Sequence, residues 1–550
     1  TAFLDHLLRL FEAAVKQYSF QAKGSGKSGL IATSRPGQEV LSRTACEIGR
    51  NEITARFEVG FPAFGRTINS GELIRIFFDF LPGCVENVFF YRRQNNAEIK
   101  KRITLADDQH FIRNELKRLD LVSFVADGSI LPRETGVSDR PMKGSVAFHS
   151  PDSLRITLNL PGHGPISGMA IHRGITLIVG GGYHGKSTLL KALESGVYNH
   201  IPGDGREYVI TDETAVKLRA EDGRSINHVD ISLFIRDLPN KKDTTCFSTA
   251  DASGSTSQAA AVIESIEAGT RAFLIDEDTS ATNFMLRDDL MQRIVSRDKE
   301  PITPFIERAR DLYKQAGIST VLVAGSSGAY FFIADTIIQM DAYRPFDITE
   351  MVKNACEHEA SKPAIQAPGF KLPTAGRKLA AGGTGRAVGA MALNFGDSNA
   401  EAGGESQEEG ENSGRSGRFG NRGGSASDAG RFERGRGGRR EADRNSDRNT
   451  RIKVRVHDKH SFQVAKEPVD LRFVEQLADS EQTAALAQMV RYCLEKGLLE
   501  RCTVQETVAT LLKAYEADGL SVFSDASYAA MGLAMPRMQE IYACLNRFRG

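Results

Sequence analysis

The chain has 550 residues, enough for three or four domains of roughly 100–200 residues each, and a hydrophobic content of 41%, ordinary for a globular protein. Lys+Arg and Asp+Glu both number 70, so total charge argues neither for nor against a nucleic-acid partner, and any basic surface must be local. Seven cysteines, none in a Cys-x-x-Cys pair, exclude the usual zinc-ribbon spacings and point to free thiols in a reducing compartment. There is no apolar run of roughly 18 residues, so no transmembrane helix is expected. The chain opens on Thr1 and not Met, which points to a trimmed or processed form in which any targeting peptide is lost from view.

Residues 3–18 read as an amphipathic helix. Residues 52–59 alternate like a strand, with Ile53, Ala55, Phe57 and Val59 on one face. Residues 73–81 and 111–121 read as helices, so 1–145 is expected to be a mixed α/β domain. From 146 to 350, apolar runs at 175–179, 272–275 and 320–324 are separated by helical stretches. That is the sequence form of a largely parallel sheet covered by helices. Residues 351–451 are expected to be a linker. From about 382 it is acidic and then Arg-Gly-rich, with too few apolar residues to build a core, which predicts disorder. In 452–550, Leu486, Met489, Val490, Cys493 and Leu494 repeat at helical spacing. Asp479 and Gln482 fit a capping box before them. Val508, Leu511, Leu512 and Tyr515 repeat the pattern, Gly519 suits a C-terminal cap, and Pro536 suits the first turn of a last helix, so a small helical domain is expected.

The sharpest motif is Gly180-Gly-Gly-Tyr-His-Gly185-Lys186-Ser187, which fits G-x-x-x-x-G-K-[ST] between an apolar strand and a helix bearing Leu189, Leu190 and Leu193. Gly180, Gly182 and Gly185 let backbone N–H groups converge on phosphates, and Thr188 continues into the helix. Lys186 supplies charge to the β- and γ-phosphates, and Ser187 offers a hydroxyl to Mg²⁺. Gly24-Ser-Gly-Lys27-Ser28 mimics half of this motif but lacks the first glycine and the strand, and reads as a surface loop. A second signal is Phe273-Leu-Ile-Asp276-Glu277, an apolar strand ending in two acids. Asp276 is placed to hold the Mg²⁺ shell and Glu277 to orient or deprotonate an attacking water.

Asp276-Glu-Asp-Thr-Ser-Ala-Thr-Asn283 resembles the Walker B and D-loop run of ABC ATPases, and Ser253, Gly254, Ser255 and Thr256 stand where their signature would lie. Arg219-Ala-Glu-Asp-Gly-Arg224, Ala252 to Gln258, Thr279 to Met285, Glu300-Pro-Ile-Thr-Pro304 and Glu475-Gln-Leu477 resemble the soluble predicted ATPases of the ABC class. With the Arg-Gly segment, the chain is similar to the kinetoplastid mitochondrial branch associated with RNA editing. The resemblance implies an α/β fold with an ABC-type P-loop core and ATP and Mg²⁺ as cofactors, and the departures from it given below predict that hydrolysis is slow. It also implies a homodimer that sandwiches ATP between Lys186 of one chain and Ser253–Thr256 of the other, and a place with an RNA-editing complex in the mitochondrial matrix. Three departures are visible. No histidine follows 320–324, the signature lacks its second glycine and its Gln, and the Q-loop Gln has no clear counterpart, with Glu221 or Asp222 in its place.

RNA contact is expected from Arg418, Arg422, Arg434, Arg436, Arg439 and Arg440, where glycine leaves the chain free to follow a strand and Phe419 and Phe432 add stacking. The competing reading is a solvated linker. Arg92, Arg93, Lys100, Lys101 and Arg102 form further basic clusters, for which a surface role is equally compatible. Two functions follow: an RNA-binding ABC-class ATPase, or a non-enzymatic RNA-binding scaffold with a structural nucleotide. The energy subunit of a transporter is a weak third.

Overall fold

The computed structural model describes residues 1–287, 294, 299–325, 327–359, 367–373, 376–379, 452–524 and 529–549. The Arg-Gly cluster of 418–440 lies outside them. Labelled elements in chain order are α1 (Ala2–Tyr18), α2 (Asn96–Arg118), β1 (Leu121–Ala126), β2 (Arg155–Leu160), β3 (Gly164–His172) and β4 (Ile175–Val179). They continue with α3 (Lys186–Ser195), β5 (Val209–Thr211), β6 (Val216–Leu218), α4 (Gly254–Glu267), β7 (Ala272–Asp276), α5 (Phe305–Ala316) and β8 (Ser319–Val323). Last come β9 (Thr336–Asp341), β10 (Arg344–Asp347), α6 (Thr349–Glu357), β11 (Val454–Asp458), β12 (Ser461–Val464), β13 (Glu467–Asp470), α7 (Ser480–Glu495), α8 (Val504–Asp518) and α9 (Met538–Arg547).

The central sheet has the order β6–β7–β8–β4–β9–β10, parallel except for β10, which returns antiparallel to β9. The near-continuous apolar runs are explained by burial of both faces. Alternate residues serve two cores. Ile175, Leu177, Phe273, Ile275 and Leu322 pack with Ala260, Ile263, Phe305 and Leu312 of α4 and α5. Ile178, Ala272, Leu274, Val321 and Val323 pack with Leu189, Leu190 and Leu193 of α3. The helix carrying the phosphate-binding motif is thus fixed by its leucine stripe to one face of the sheet.

A second, antiparallel sheet has the order β5–β1–β3–β2. It joins 121–126 to 155–172 and 209–211, so the expected division at 145/146 falls inside one sheet. The expected strand 52–59 is two short ones, Ile53–Ala55 and Glu58–Val59, because each pairs with a different partner, Cys46–Ile48 and Ile31–Ala32. The helix expected at 73–81 continues through a π-helical turn to Phe89, and that expected at 111–121 starts at Asn96, where the Asn95 side chain caps Ala97 and Glu98. The linker expected from 351 begins with the body of α6. Its residue Arg377 is packed between Glu267 (3.0 Å), Asn546 and the Asn227 carbonyl (2.8 Å). The cysteines are free thiols: Cys46, Cys84, Cys493 and Cys544 are buried and Cys246 is exposed. Among the described residues, no helix is long and apolar enough to cross a membrane.

The C-terminal helices carry the expected Asp479/Gln482 box and Gly519 cap. They are preceded by the antiparallel meander β11–β12–β13, absent from the sequence reading because its strands span only four or five residues. This region is locked to the P-loop core by polar contacts. Gln476 accepts from Lys217 N–H (2.9 Å), and Glu475 bridges Lys191 of α3 (3.3 Å) and Arg219 (2.6 Å). Burial works to raise the Glu475 carboxyl, but Lys191, Lys217 and Arg219 outweigh it and hold it below its ordinary value. Arg547 of α9 forms a buried ion pair with Glu221. Arg547→Ala is expected to cost about 3–5 kcal/mol of stability, since it strands a buried carboxylate. Urea unfolding measures it, and adding Glu221→Gln should recover part of the loss.

Candidate nucleotide site

The loop between β4 and α3 sits at the carboxyl end of the parallel sheet. Its shape follows from its glycines. Gly180 has φ +139° and Gly185 φ +99°, and a Cβ at Gly180 would run into the carbonyl oxygen of Met340. Gly180→Ala is therefore expected to cost at least about 1–3 kcal/mol and to abolish ligand binding at the loop, read by unfolding and equilibrium binding side by side. Gly182 has open space around it, so backbone can approach a ligand there. The first N–H groups of α3 have no partner within the helix and point into the loop. Lys186 lies over the loop, with Nζ donating to Gly180 O (2.7 Å) and Gly181 O (2.8 Å). Ser187 is exposed and Thr188 half-buried at the mouth of a cleft of about 850 Å³.

Register places the acids. Ile178 of β4 is level with Val323 of β8, which is level with Asp276 of β7. Two interstrand steps of roughly 4.8 Å separate Asp276 from the strand that feeds the loop. Burial lifts the Asp276 carboxyl above its ordinary value, while Lys217 and the Asp278 N–H pull it back. Glu277 is half-buried, and its carboxylate accepts the Gly325 N–H (2.7 Å). Gly325 stands just past β8, so backbone meets Glu277 where a switch histidine was looked for. The donor set, a serine hydroxyl at the helix start and a carboxylate at the neighbouring strand end, suits a hard divalent cation.

Ser253 precedes α4, and the N-terminus of that helix is exposed at Ser253 and half-exposed at Thr256, whose hydroxyls lie 3.0 Å apart. Gly254 and Ser255 are buried, and the Ser255 hydroxyl donates inward to Asn283 rather than outward. Gln258, unremarked in the sequence except as part of a run, binds Ser280 (3.0 Å) and the Ala281 N–H (2.9 Å). The segments at 253–258 and 280–283 are therefore one unit. None of Ser253–Thr256 lines the cleft at Ser187 and Thr188. Of the two Q-loop candidates, Glu221 is held by Arg547, and Asp222 lies beside Gly254.

The half-motif at Gly24, expected to be a surface loop, is a turn whose Ser28 is buried. Its Ser28 hydroxyl is taken by the carbonyl of Ser25 (2.6 Å) and by the Ala63 N–H (3.1 Å). Arg92 lies over Phe90 (5.4 Å) and, with Arg93, faces Glu86. The cluster at 100–102 does not form one patch, because helical rotation spreads it. Lys100 and Lys101 line a cleft with His163 and Tyr208, whereas Arg102 turns to a cavity with Asp5 and Gln109. Sequence reasoning missed the β9–β10 turn beside the phosphate loop. Its Ala342 N–H donates to His184 Nδ1 (3.0 Å), and Tyr343 N–H donates to His184 O (3.1 Å).

Three family models match the chain. The model for the P-loop domain of ABC ATPases matches residues 95–371, the model for the N-terminal part of ATPases of the ABC class matches 1–92, and that for the MRB1590 C-terminal domain matches 453–550. An uncharacterized protein of Methanocaldococcus jannaschii, MJ1628, is 31% identical over 229 residues, 40% of this chain and 50% of that protein. The chain thus spans about half the length of that curated relative. Among solved structures, the ADP conformation of MJ1267, an ATP-binding cassette of an ABC transporter, matches with a TM-score of 0.26 and 12% identity over 43% of this chain and 95% of that one. A twinned structure of the same protein gives 0.24 and 10% over 43% and 96%.

Proposed function

Because the chain belongs to the ABC-class P-loop ATPase family, we propose that it binds ATP with Mg²⁺, hydrolyses it slowly and couples nucleotide state to RNA binding. The observation that carries the nucleotide half is the loop itself: left-handed Gly180 and Gly185 and the open N-terminus of α3, on the same sheet edge as two carboxylates. Gly180, Gly182, Gly185, Lys186 and Thr188 take the phosphates. Ser187 and Asp276 hold Mg²⁺, which would neutralise phosphate charge and favour the ionised form of Asp276. Glu277 orients the attacking water and accepts its proton. As the resemblance to ABC ATPases implies, Ser253–Thr256 act on the nucleotide of a second chain, in a head-to-tail homodimer.

The RNA half is supported by the Arg-Gly segment and by Lys100 and Lys101 beside His163 and Tyr208. The match of 453–550 supports the likeness to the kinetoplastid mitochondrial branch, with an RNA-editing complex as partner and the mitochondrial matrix as location. A second reading, a nucleotide-stabilised RNA scaffold without turnover, is favoured by one observation: Glu277 is bound by the Gly325 backbone where a histidine was looked for. ATP turnover by the purified chain, with and without single-stranded RNA and beside Glu277→Gln, separates the two. Turnover that responds to RNA supports the first, and ATP and RNA binding without turnover supports the second.

A further inference from the structure

The turn joining β9 to β10 is a two-residue hairpin loop, Ala342–Tyr343, with φ +46° and +66°. Turns of this kind ordinarily hold Asn or Gly, because other side chains are strained at positive φ. Strain of this kind gathers at ligand clamps. The turn is held by the phosphate loop through the two bonds to His184. This brings the Tyr343 ring against Gly185, where a Cβ would meet Cδ1 at 2.9 Å.

The ring remains 47% exposed and lines the cleft that opens at Ser187 and Thr188. Met142 and Val146, themselves 40% and 42% exposed, line the same cleft. Thr135, Ser138 and Arg133 add polar groups to its lining. A cleft lined by the Ser187 and Thr188 hydroxyls together with an aromatic ring and two apolar side chains suits a planar base.

We propose that Tyr343 is a specificity-determining residue whose ring forms one wall of the nucleoside site, in the cleft that Met142 and Val146 also line. The inference rests on the reading that the phosphates of ATP occupy the loop Gly180–Ser187. Stacking of a base on an aromatic ring contributes about 1–3 kcal/mol, roughly a 5- to 150-fold change in affinity. The test is equilibrium binding of ATP and of inorganic tripolyphosphate, both with Mg²⁺, to the full chain and to its Tyr343→Ala and Tyr343→Phe variants. Tyr343→Ala should weaken ATP within that range and leave tripolyphosphate unchanged, and Tyr343→Phe should bind both like the parent chain. Equal weakening of both ligands would make Tyr343 a prop for the loop and overturn the inference, as would unchanged ATP affinity. If the parent chain binds neither ligand, the ATP reading itself falls, and the inference with it.

Discussion

Replacing Glu277 with Gln is expected to lower ATP turnover about 10²- to 10⁴-fold, the usual contribution of a positioned general base. The substitution keeps size and leaves an amide oxygen able to accept the Gly325 N–H that the carboxylate accepts at 2.7 Å. The side chain should stay in place, so the loss is one of proton acceptance and not of geometry. ATP affinity should be nearly unchanged, because the proposed phosphate contacts are those of the loop and α3. Steady-state phosphate release beside equilibrium ATP binding reads both quantities. Equal release by parent and variant would mean that any turnover arises elsewhere, and the scaffold reading would then be preferred.

Lys186→Ala is expected to weaken ATP binding by about 10- to 150-fold, the range of a charge-assisted hydrogen bond worth about 1.5–3 kcal/mol. The Nζ group now donates to Gly180 O and Gly181 O on the loop surface, so its removal leaves no buried group unpaired and the fold should survive. Circular dichroism and the unfolding midpoint should match the parent chain. If nucleotide closes a homodimer, the same variant should remain monomeric with ATP and lose the ATP-dependent part of its RNA affinity. ATP and RNA affinities both unchanged would sink the coupled reading.

The phosphate loop was legible because its chemistry is local. Glycines at fixed spacing, a lysine and a serine after an apolar strand determine backbone shape and charge within eight residues, and the structure adds only the reason that Gly180 tolerates no side chain. The acid pair was legible for the same reason, since two acids closing an apolar run mark the strand's end, although Asp276, the last residue of β7, is buried there. The periodic helices of the C-terminal region, with the Asp479 box, needed no tertiary information either. Short strands were not legible: 53–55, 58–59 and the meander at 454–470 are specified by partners remote in sequence, and a two- to five-residue run carries too little pattern.

What only the tertiary structure decided is which residues share a place. Residues 121–126 join a sheet with 155–172 because strand pairing ignores chain order. Arg547 finds Glu221, and Glu475 finds Lys191 and Arg219, across 256 residues or more. Lys100, Lys101 and Arg102 adjoin in sequence yet face different cavities, because each helical residue turns by about 100°. Tyr343 reaches Gly185 because β4 and β9 are neighbours in the sheet. The sequence by itself determined the phosphate-loop motif and the strand that carries the acid pair, because these depend on residue type and local spacing. Its surroundings were left to the packing of the sheet, because long-range contacts are selected by burial and register that no local pattern records.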